Sequence, residues 1–313
     1  MRGRAPASGS VAFVGSLAES PWAAAAISWC LRSADDISIT VHRADGAEQH
    51  CARAAAARLQ EWRWLRLSHF DSTGRGMGTT ISVIIPTWHE AAEVRGAVES
   101  ARLVGDEVVV ADGGSEDGTA ELARAAGARV ILAPKGRGSQ LHAGAMASTG
   151  DVLLFLHADT RLAAGAREAV LAALQSPAVA GGNFYLLFDD PGRLARVFTW
   201  LYDVRRRAIR IYYGDSAVFV RRSVYDALGG FRPIPILEDY EFIRRLERSA
   251  KTVYLRQSPV RTSARRFARA PIRTLLVWAL VQSLYMLGVS PARLKALYSD
   301  ARAANGPAKR QAG

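Results

Sequence analysis

Two stretches decide the fold: Asp112-Gly113-Gly114-Ser115-Glu116-Asp117-Gly118-Thr119 behind the apolar run Val108-Val109-Val110, and His157-Ala158-Asp159-Thr160 behind Val152 to Leu156. Each sets a carboxylate where a buried strand ends and a loop begins, the position at which open α/β sheets bind nucleotides. Upstream, Ile81-Ser82-Val83-Ile84-Ile85-Pro86-Thr87-Trp88-His89-Glu90 is a third strand with its own polar tip. The β-branched run from Ile81 to Ile85 reads as a parallel strand buried on both faces. Three such tips converge on one crevice.

Around these strands the pattern alternates. Glu90 to Leu103 has helical spacing, Glu107 to Ala111 is a strand, and Glu116 to Ala126 is a helix with Ser115 or Asp117 available to cap it. Arg129 to Leu132 is the next strand, and the helix Ser139 to Ser148 leads into Val152 to Leu156. Alternation of this length predicts a mainly parallel, doubly wound α/β sheet. Further on, Gly181 to Phe188, Ala217 to Val220 and Thr252 to Leu255 read as strands, with helices over Gly192 to Ile211, Ser223 to Leu228 and Glu238 to Ser249. Nothing there enforces βαβ spacing, so mixed pairing is expected in the second half.

With 313 residues, 49% of them hydrophobic, the chain can bury a substantial core. Residues 1–76 read as a leader or N-terminal extension, 77–270 as the functional domain, 271–298 as an apolar helical region and 299–313 as a polar tail. Within the leader, Ile37 to Val41 has strand character and His50 to Leu67 helical character. Its Arg, Ala and Ser resemble an organelle transit peptide, yet Asp35, Asp36, Asp45, Glu48 and Glu61 make it too acidic for a typical one. Cys30 and Cys51 both fall in the leader without metal or redox spacing, which points to a reducing, cytoplasmic setting.

The formal charge of +12 is concentrated between Arg193 and Arg273, in clusters such as Arg205-Arg206-Arg207 and Arg244-Arg245. An acidic partner is one reading: a diphosphate, a phosphorylated acceptor or an anionic membrane surface. The other is that these arginines are solvated or paired with Asp203, Asp226, Glu241 and Glu247. No aromatic platform or nucleic-acid motif accompanies the charge, which disfavours DNA and RNA as partners.

Transfer of a glycosyl group from a nucleoside diphosphate sugar needs the leaving diphosphate neutralised and the attacking hydroxyl deprotonated. Asp159 is the candidate ligand for a divalent cation, Mg or Mn, because these ions take oxygen ligands and the diphosphate supplies several. The alternative is that Asp159 caps a helix starting near Leu162. His157 offers a nitrogen suited to manganese, or it packs. Asp112 can accept hydrogen bonds from a base imide or ribose, with Gly113 and Gly114 permitting close backbone approach. Lys135-Gly136-Arg137-Gly138-Ser139-Gln140 is either a phosphate cradle at a helix start or a flexible turn. Glu238-Asp239 opens a helix after Pro233-Ile234-Pro235; such acids suit the macrodipole, and one placed near Gly229-Gly230-Phe231 can also serve as general base.

Taken in order, these residues resemble family-2 glycosyltransferases of GT-A fold, the nucleotide-diphospho-sugar transferase type. Ile81 to Glu90, with Pro86, Thr87 and Glu90 on the donor side, is similar to the family's opening strand and turn. Asp112 to Thr119 resembles its nucleoside loop, His157-Ala158-Asp159 its Asp-x-Asp metal motif, and Gly230-Phe231 with Glu238-Asp239 its acceptor loop and catalytic pair. The resemblance implies inverting hexosyl transfer with Asp239 as base, Asp159 on the metal, Asp112 on the nucleoside and a UDP-sugar as favoured donor. His157 departs from the family pattern by replacing the first carboxylate of the metal motif.

A narrower likeness is to a bacterial subgroup of arsenosugar-biosynthesis-type glycosyltransferases. It is carried by Gly136 to Ala145, Leu154 to Thr160, Tyr213-Gly214-Asp215, Thr262 to Phe267 and Leu287 to Pro291. From it, Tyr213, Gly214 and Asp215 are expected on the acceptor side and Arg265 and Arg266 over the diphosphate. The rival readings are a nucleotidyltransferase, which needs a glycine-rich basic loop where this chain has Pro86 to Glu90, and a non-catalytic nucleotide-sugar-binding module.

The uncharged run from Thr274 to Ala292 would reach roughly 28 Å as a helix. Gln282, Ser283, Gly288 and Pro291 argue against a span and favour a helix packed on the domain or in peripheral contact with a membrane.

Overall fold

The computed structural model describes residues 78–266 and 271–295. The leader, both cysteines and the tail 299–313 lie outside the described residues.

The chain builds one eight-stranded sheet: β1 (Ile81–Thr87), β2 (Glu107–Asp112), β3 (Arg129–Leu132), β4 (Val152–Phe155), β5 (Thr160–Arg161), β6 (Val179–Phe188), β7 (Val218–Arg221) and β8 (Lys251–Thr262). Its order is β3-β2-β1-β4-β7-β6-β8-β5. The first four pair in parallel, with Thr87 opposite Asp112 at the carboxyl ends of β1 and β2. All seven residues of β1 are buried, as a strand covered on both faces requires. Beyond β4 the pairing is mixed: β7 is antiparallel to β4 and β6, β8 is parallel to β6, and β5 is antiparallel to β8.

Helices α1 (Val94–Arg102), α2 (Thr119–Ala125), α3 (Arg137–Ala147), α4 (Ala166–Ala173), α5 (Arg193–Ile209), α6 (Arg222–Ala227), α7 (Glu238–Ser249) and α8 (Pro271–Met286) cover the sheet. One face carries a core of Ile81, Val83 and Ile85 with Val94 and Val98 of α1. The other carries Ile84, Leu153 and Phe155 with Tyr225, Phe231 and Phe242. Alternate residues of β1 thus face opposite layers.

Three local expectations are corrected. Helix α2 begins at Thr119 rather than Glu116, because Asp117 spends Oδ1 on the Thr119 N–H and hydroxyl while Ser115 turns back to Asp112. The helix expected near Leu162 is α4, which begins at Ala166 behind Gly165, so Asp159 is not its cap. Helix α8 ends at Met286, short of Ala292, and no helix among the described residues is long and apolar enough to cross a membrane.

Most of the arginine excess is internal bookkeeping. Arg206 is buried against Glu247 at 3.3 Å, Arg207 and Arg256 meet Asp203, and Arg232 and Arg245 meet Glu241. Arg221 and Arg222 donate to backbone carbonyls of the neighbouring loops.

Candidate active site

Strand order alone sets the first half of the site. Because β1 lies between β2 and β4, the tips Thr87, Asp112 and His157 fall along one carboxyl edge of the sheet. Asp112 is buried, and its carboxylate accepts four hydrogen bonds: from the Thr87 hydroxyl (2.9 Å), the Ser115 hydroxyl (2.6 Å), and the N–H groups of Gly114 (3.0 Å) and Ser115 (2.8 Å). Burial pushes its pKa up, but these bonds, the Ser115 hydroxyl's foremost, outweigh it and hold the group below the usual carboxylate range. Four bonds fill the acceptor positions of a carboxylate. Asp112 as it stands therefore shapes the turn instead of offering an oxygen to a nucleoside.

Gln140 is corrected in the same way. Its buried amide donates to the Thr87 carbonyl (2.6 Å) and the Ala111 carbonyl (3.0 Å), clamping the two strand ends together. The expected phosphate cradle is also committed elsewhere. Lys135 Nζ stands 3.4 Å over the Trp88 ring, Arg137 pairs with Glu238, and a Cβ on Gly138 would collide with the Arg232 carbonyl oxygen. Gly138 is needed so that α3 can pack against that backbone.

The second half gathers around a cleft. His157, just past β4, reaches it together with Asp239 from the first turn of α7. Between them lies Gly214, whose N–H donates to Asp239 Oδ2 at 2.8 Å. A Cβ on Gly214 would stand 2.7 Å from His157 Nε2 and 3.2 Å from Asp239 Oδ2, so only glycine lets these groups approach each other. Asp239 Oδ1 accepts from the Tyr240 N–H at 2.7 Å, which locks the carboxylate at the helix start. Leu237, immediately before, has φ of 60°, a left-handed conformation costly for a leucine and of a kind that collects at functional sites.

Arg137 forms one wall. Burial works against its charge, but Glu238, Asp239 and Asp215 together raise its pKa further above the ordinary range, so it stays protonated. Glu238 shifts upward because it is buried, against the pull of Arg137. Tyr213 and Asp215 line the cleft, Tyr213 with its pKa pushed by burial to about 12.

Asp159 faces a different cluster. Its Oδ2 lies 3.6 Å from Arg265, which also reaches Glu90 (3.6 Å) and Glu93 (3.5 Å). Among the described residues no three His, Cys, Asp or Glu side chains gather into a metal site. A single carboxylate still fits Mg or Mn, which commonly bind through one or two protein carboxylates and complete their shell with phosphate oxygens and water. The side chain of Arg266 lies outside the described residues.

Other expected residues sit away from the cleft wall. Pro86 is buried within β1, and Ala158 is buried beside it in the core. Phe231 is corrected: it packs into an aromatic cluster with Phe155 at 4.8 Å and Phe242 at 4.5 Å, and Gly230 gives its carbonyl to Arg245. Conversely, Tyr202, Ile236, Leu237, Trp278 and Val281 line the cleft and were not singled out from the sequence. Tyr202 and Trp278 sit on helices α5 and α8 whose apolar patterns alone read as core.

Residues 82–231 match the family model described as Glycosyl transferase family 2. The chain is 34% identical over 102 residues to an uncharacterized glycosyltransferase of Mycobacterium tuberculosis, covering 32% of this chain and 46% of that protein. It is 37% identical over 95 residues to a glucosyl-3-phosphoglycerate synthase of Mycolicibacterium smegmatis, covering 26% of this chain and 31% of the relative. These matches thus span less than half the length of the curated relatives. In fold it is similar to a mannosyltransferase from Pyrobaculum calidifontis solved with GDP-Man and Mn2+, with a TM-score of 0.52, 20% identity, and coverage of 80% of this chain and 78% of that one. The architecture is GT-A-like, an α/β fold with a curled mixed sheet, and residues 82–231 carry the similarity to family 2 glycosyl transferases.

Proposed function

We propose that this chain transfers a hexosyl group from a nucleoside diphosphate sugar to an acceptor hydroxyl with inversion, using Asp239 as general base. The observation that carries this reading is the meeting of Asp239, the Gly214 N–H and His157 in one cleft at the carboxyl edge of the sheet. Inversion needs a base on the face opposite the leaving group, and a carboxylate fixed by two N–H donors at a helix start is suitably placed to take the hydroxyl proton.

Asp159, with His157 beside it in the chain, would hold a divalent cation, Mg or Mn, that neutralises the leaving diphosphate. The Arg265 guanidinium now paired with Asp159 and Glu90 is suited to turn toward the diphosphate when the donor enters. The Asp112 loop would present its backbone at the nucleoside end. A UDP-sugar remains the favoured donor on the family resemblance, and the narrower arsenosugar-type likeness rests on the quoted stretches. The nucleotidyltransferase reading loses ground to the family match. Cytoplasmic residence is the reading that Cys30 and Cys51, the chain's 2 cysteines, favour.

Asp239→Asn tests the assignment. Donor turnover, followed as nucleoside diphosphate release, is expected to fall about 10²- to 10⁴-fold while nucleoside diphosphate binding persists. Unchanged turnover would remove Asp239 as base. The anomeric configuration of the product, read by NMR, checks inversion.

A further inference from the structure

The cleft carries information about the acceptor that neither the family match nor the relatives supply. Its polar wall is acidic on balance. Asp215 and Asp239 both line it, and the lining cation, Arg137, is already paired with Glu238. Arg205, the next cation along, stands behind Tyr213 with its guanidinium on the Tyr213 hydroxyl (2.8 Å) and on Gln282 (2.5 Å).

The opposite wall is apolar and aromatic. Trp278 and Val281 of α8 face Ile236 and Leu237, and Tyr202 and Tyr213 meet edge to face at 6.3 Å between them. Burial first, and Asp215 next, hold the Tyr202 phenol protonated, with the Asp215 carboxylate as its hydrogen-bond partner. Helix α8 is tied over the cleft by Gln282, whose Oε1 receives both Arg205 and the Tyr213 hydroxyl. Most of this wall, from Ile236 through Val281, comes from beyond residue 231, where the family match ends. Asp239 and most of this wall therefore belong to the part of the chain that the match does not cover.

An anionic acceptor would bring a phosphate or carboxylate against Asp215 and Asp239, where Arg137, the arginine among the described lining residues, is already paired with Glu238. Like charges set together in a desolvated site oppose binding and act as a device of specificity. Aromatic faces suit the C–H faces of an uncharged ring. We infer that the acceptor is an uncharged hydroxyl compound with an apolar or aromatic body, and that this cleft discriminates against phosphorylated hydroxy acids. The inference rests on the transfer reading above and goes beyond it by naming the acceptor class. It also separates this chain from the glucosyl-3-phosphoglycerate synthases it resembles over part of its length.

The test uses the full chain, saturated with manganese and whichever nucleoside diphosphate binds it, titrated calorimetrically with phenyl β-glucoside and with 3-phosphoglycerate. Phenyl β-glucoside is expected to bind at least tenfold more tightly. Trp278→Ala should weaken that binding about fivefold and leave the nucleoside diphosphate affinity in place. Asp215→Asn should narrow the gap between the two probes. Equal or tighter binding of 3-phosphoglycerate to the unaltered chain, or no binding of either probe, overturns the inference. Absence of any nucleoside diphosphate binding instead overturns the transfer reading itself, so the two failures are told apart.

Discussion

The carboxylate that closes β2 and the carboxylate in the first turn of α7 are both buried, but their surroundings differ in kind. Three of the four donors to Asp112 come from Gly114 and Ser115, its own turn. Asp239 is positioned by Gly214, 25 residues away and on the far side of β7 in the chain, and faces an open cleft. One carboxylate is consumed in building a loop. The other is held with an oxygen at the cleft, where chemistry requires it.

If that contrast is right, exchanging each acid for its amide must produce opposite phenotypes. Asp239→Asn removes the proton acceptor and carries the largest effect, the loss of turnover described above, with a smaller stability cost than at Asp112 because two donors, not four, point at the carboxylate. Gly214→Ala comes next. The added methyl must displace His157 Nε2 or Asp239 Oδ2, and a shift near 1 Å at a reacting group costs on the order of 10²-fold in rate. Steady-state kinetics should show kcat falling with the donor KM nearly unchanged. A full-rate alanine variant would mean that the approach of these three groups is incidental.

Asp112→Asn should do the reverse. The amide sets N–H donors against donors already aimed at the carboxylate, and hydrogen bonds to a charged group contribute about 1.5–3 kcal/mol each net of solvation. A loss of about 2–3 kcal/mol in urea unfolding is expected, with the nucleoside end of the site disordered as a consequence. Retained stability together with lost nucleoside binding would show that Asp112 leaves its turn to meet the ligand.

The same contrast explains what the sequence made legible. Strands β1, β2 and β4 announced themselves because both faces are buried, which leaves unbroken runs such as Val108-Val109-Val110 and Val152 to Leu156. Helix α7 was legible to the residue, since Pro233-Ile234-Pro235 precedes it and a strand follows Ser249. What could not be read was partnership across the fold. Gln140 looks like a ligand-facing amide until β1 and β2 are seen to end beside it. Phe231 follows two glycines like a loop tip, yet the aromatic cluster behind β4 takes it in. Trp278 and Val281 belong to an apolar run whose spacing gives no sign that one side roofs a cleft. Asp159 looked like a helix cap or a metal ligand, and its nearest cation is Arg265, 106 positions later in the numbering.

The smallest predicted effect lies at the opposite edge of the sheet, where β2 begins. Glu107 Oε1 accepts from the Ser82 hydroxyl at 2.6 Å, from the Thr149 hydroxyl at 3.0 Å and from the Thr149 N–H, and Oε2 receives Arg129 at 3.2 Å. Burial raises its pKa, but these bonds, that from Ser82 first, outweigh it and lower the value from 4.5 to about 2. A depressed folded pKa means that the ionised group stabilises the fold above the unfolded value and that this contribution fades as pH falls toward the folded one. The side chain is partly open to solvent, so screening limits the effect to about 1 kcal/mol. Glu107→Gln should therefore unfold slightly earlier in urea at pH 7, with the difference narrowing below pH 4.5 and vanishing toward pH 2. A difference independent of pH would assign the loss to the shape of the amide and leave the charge of Glu107 without a part in joining β2 to the loop before β4.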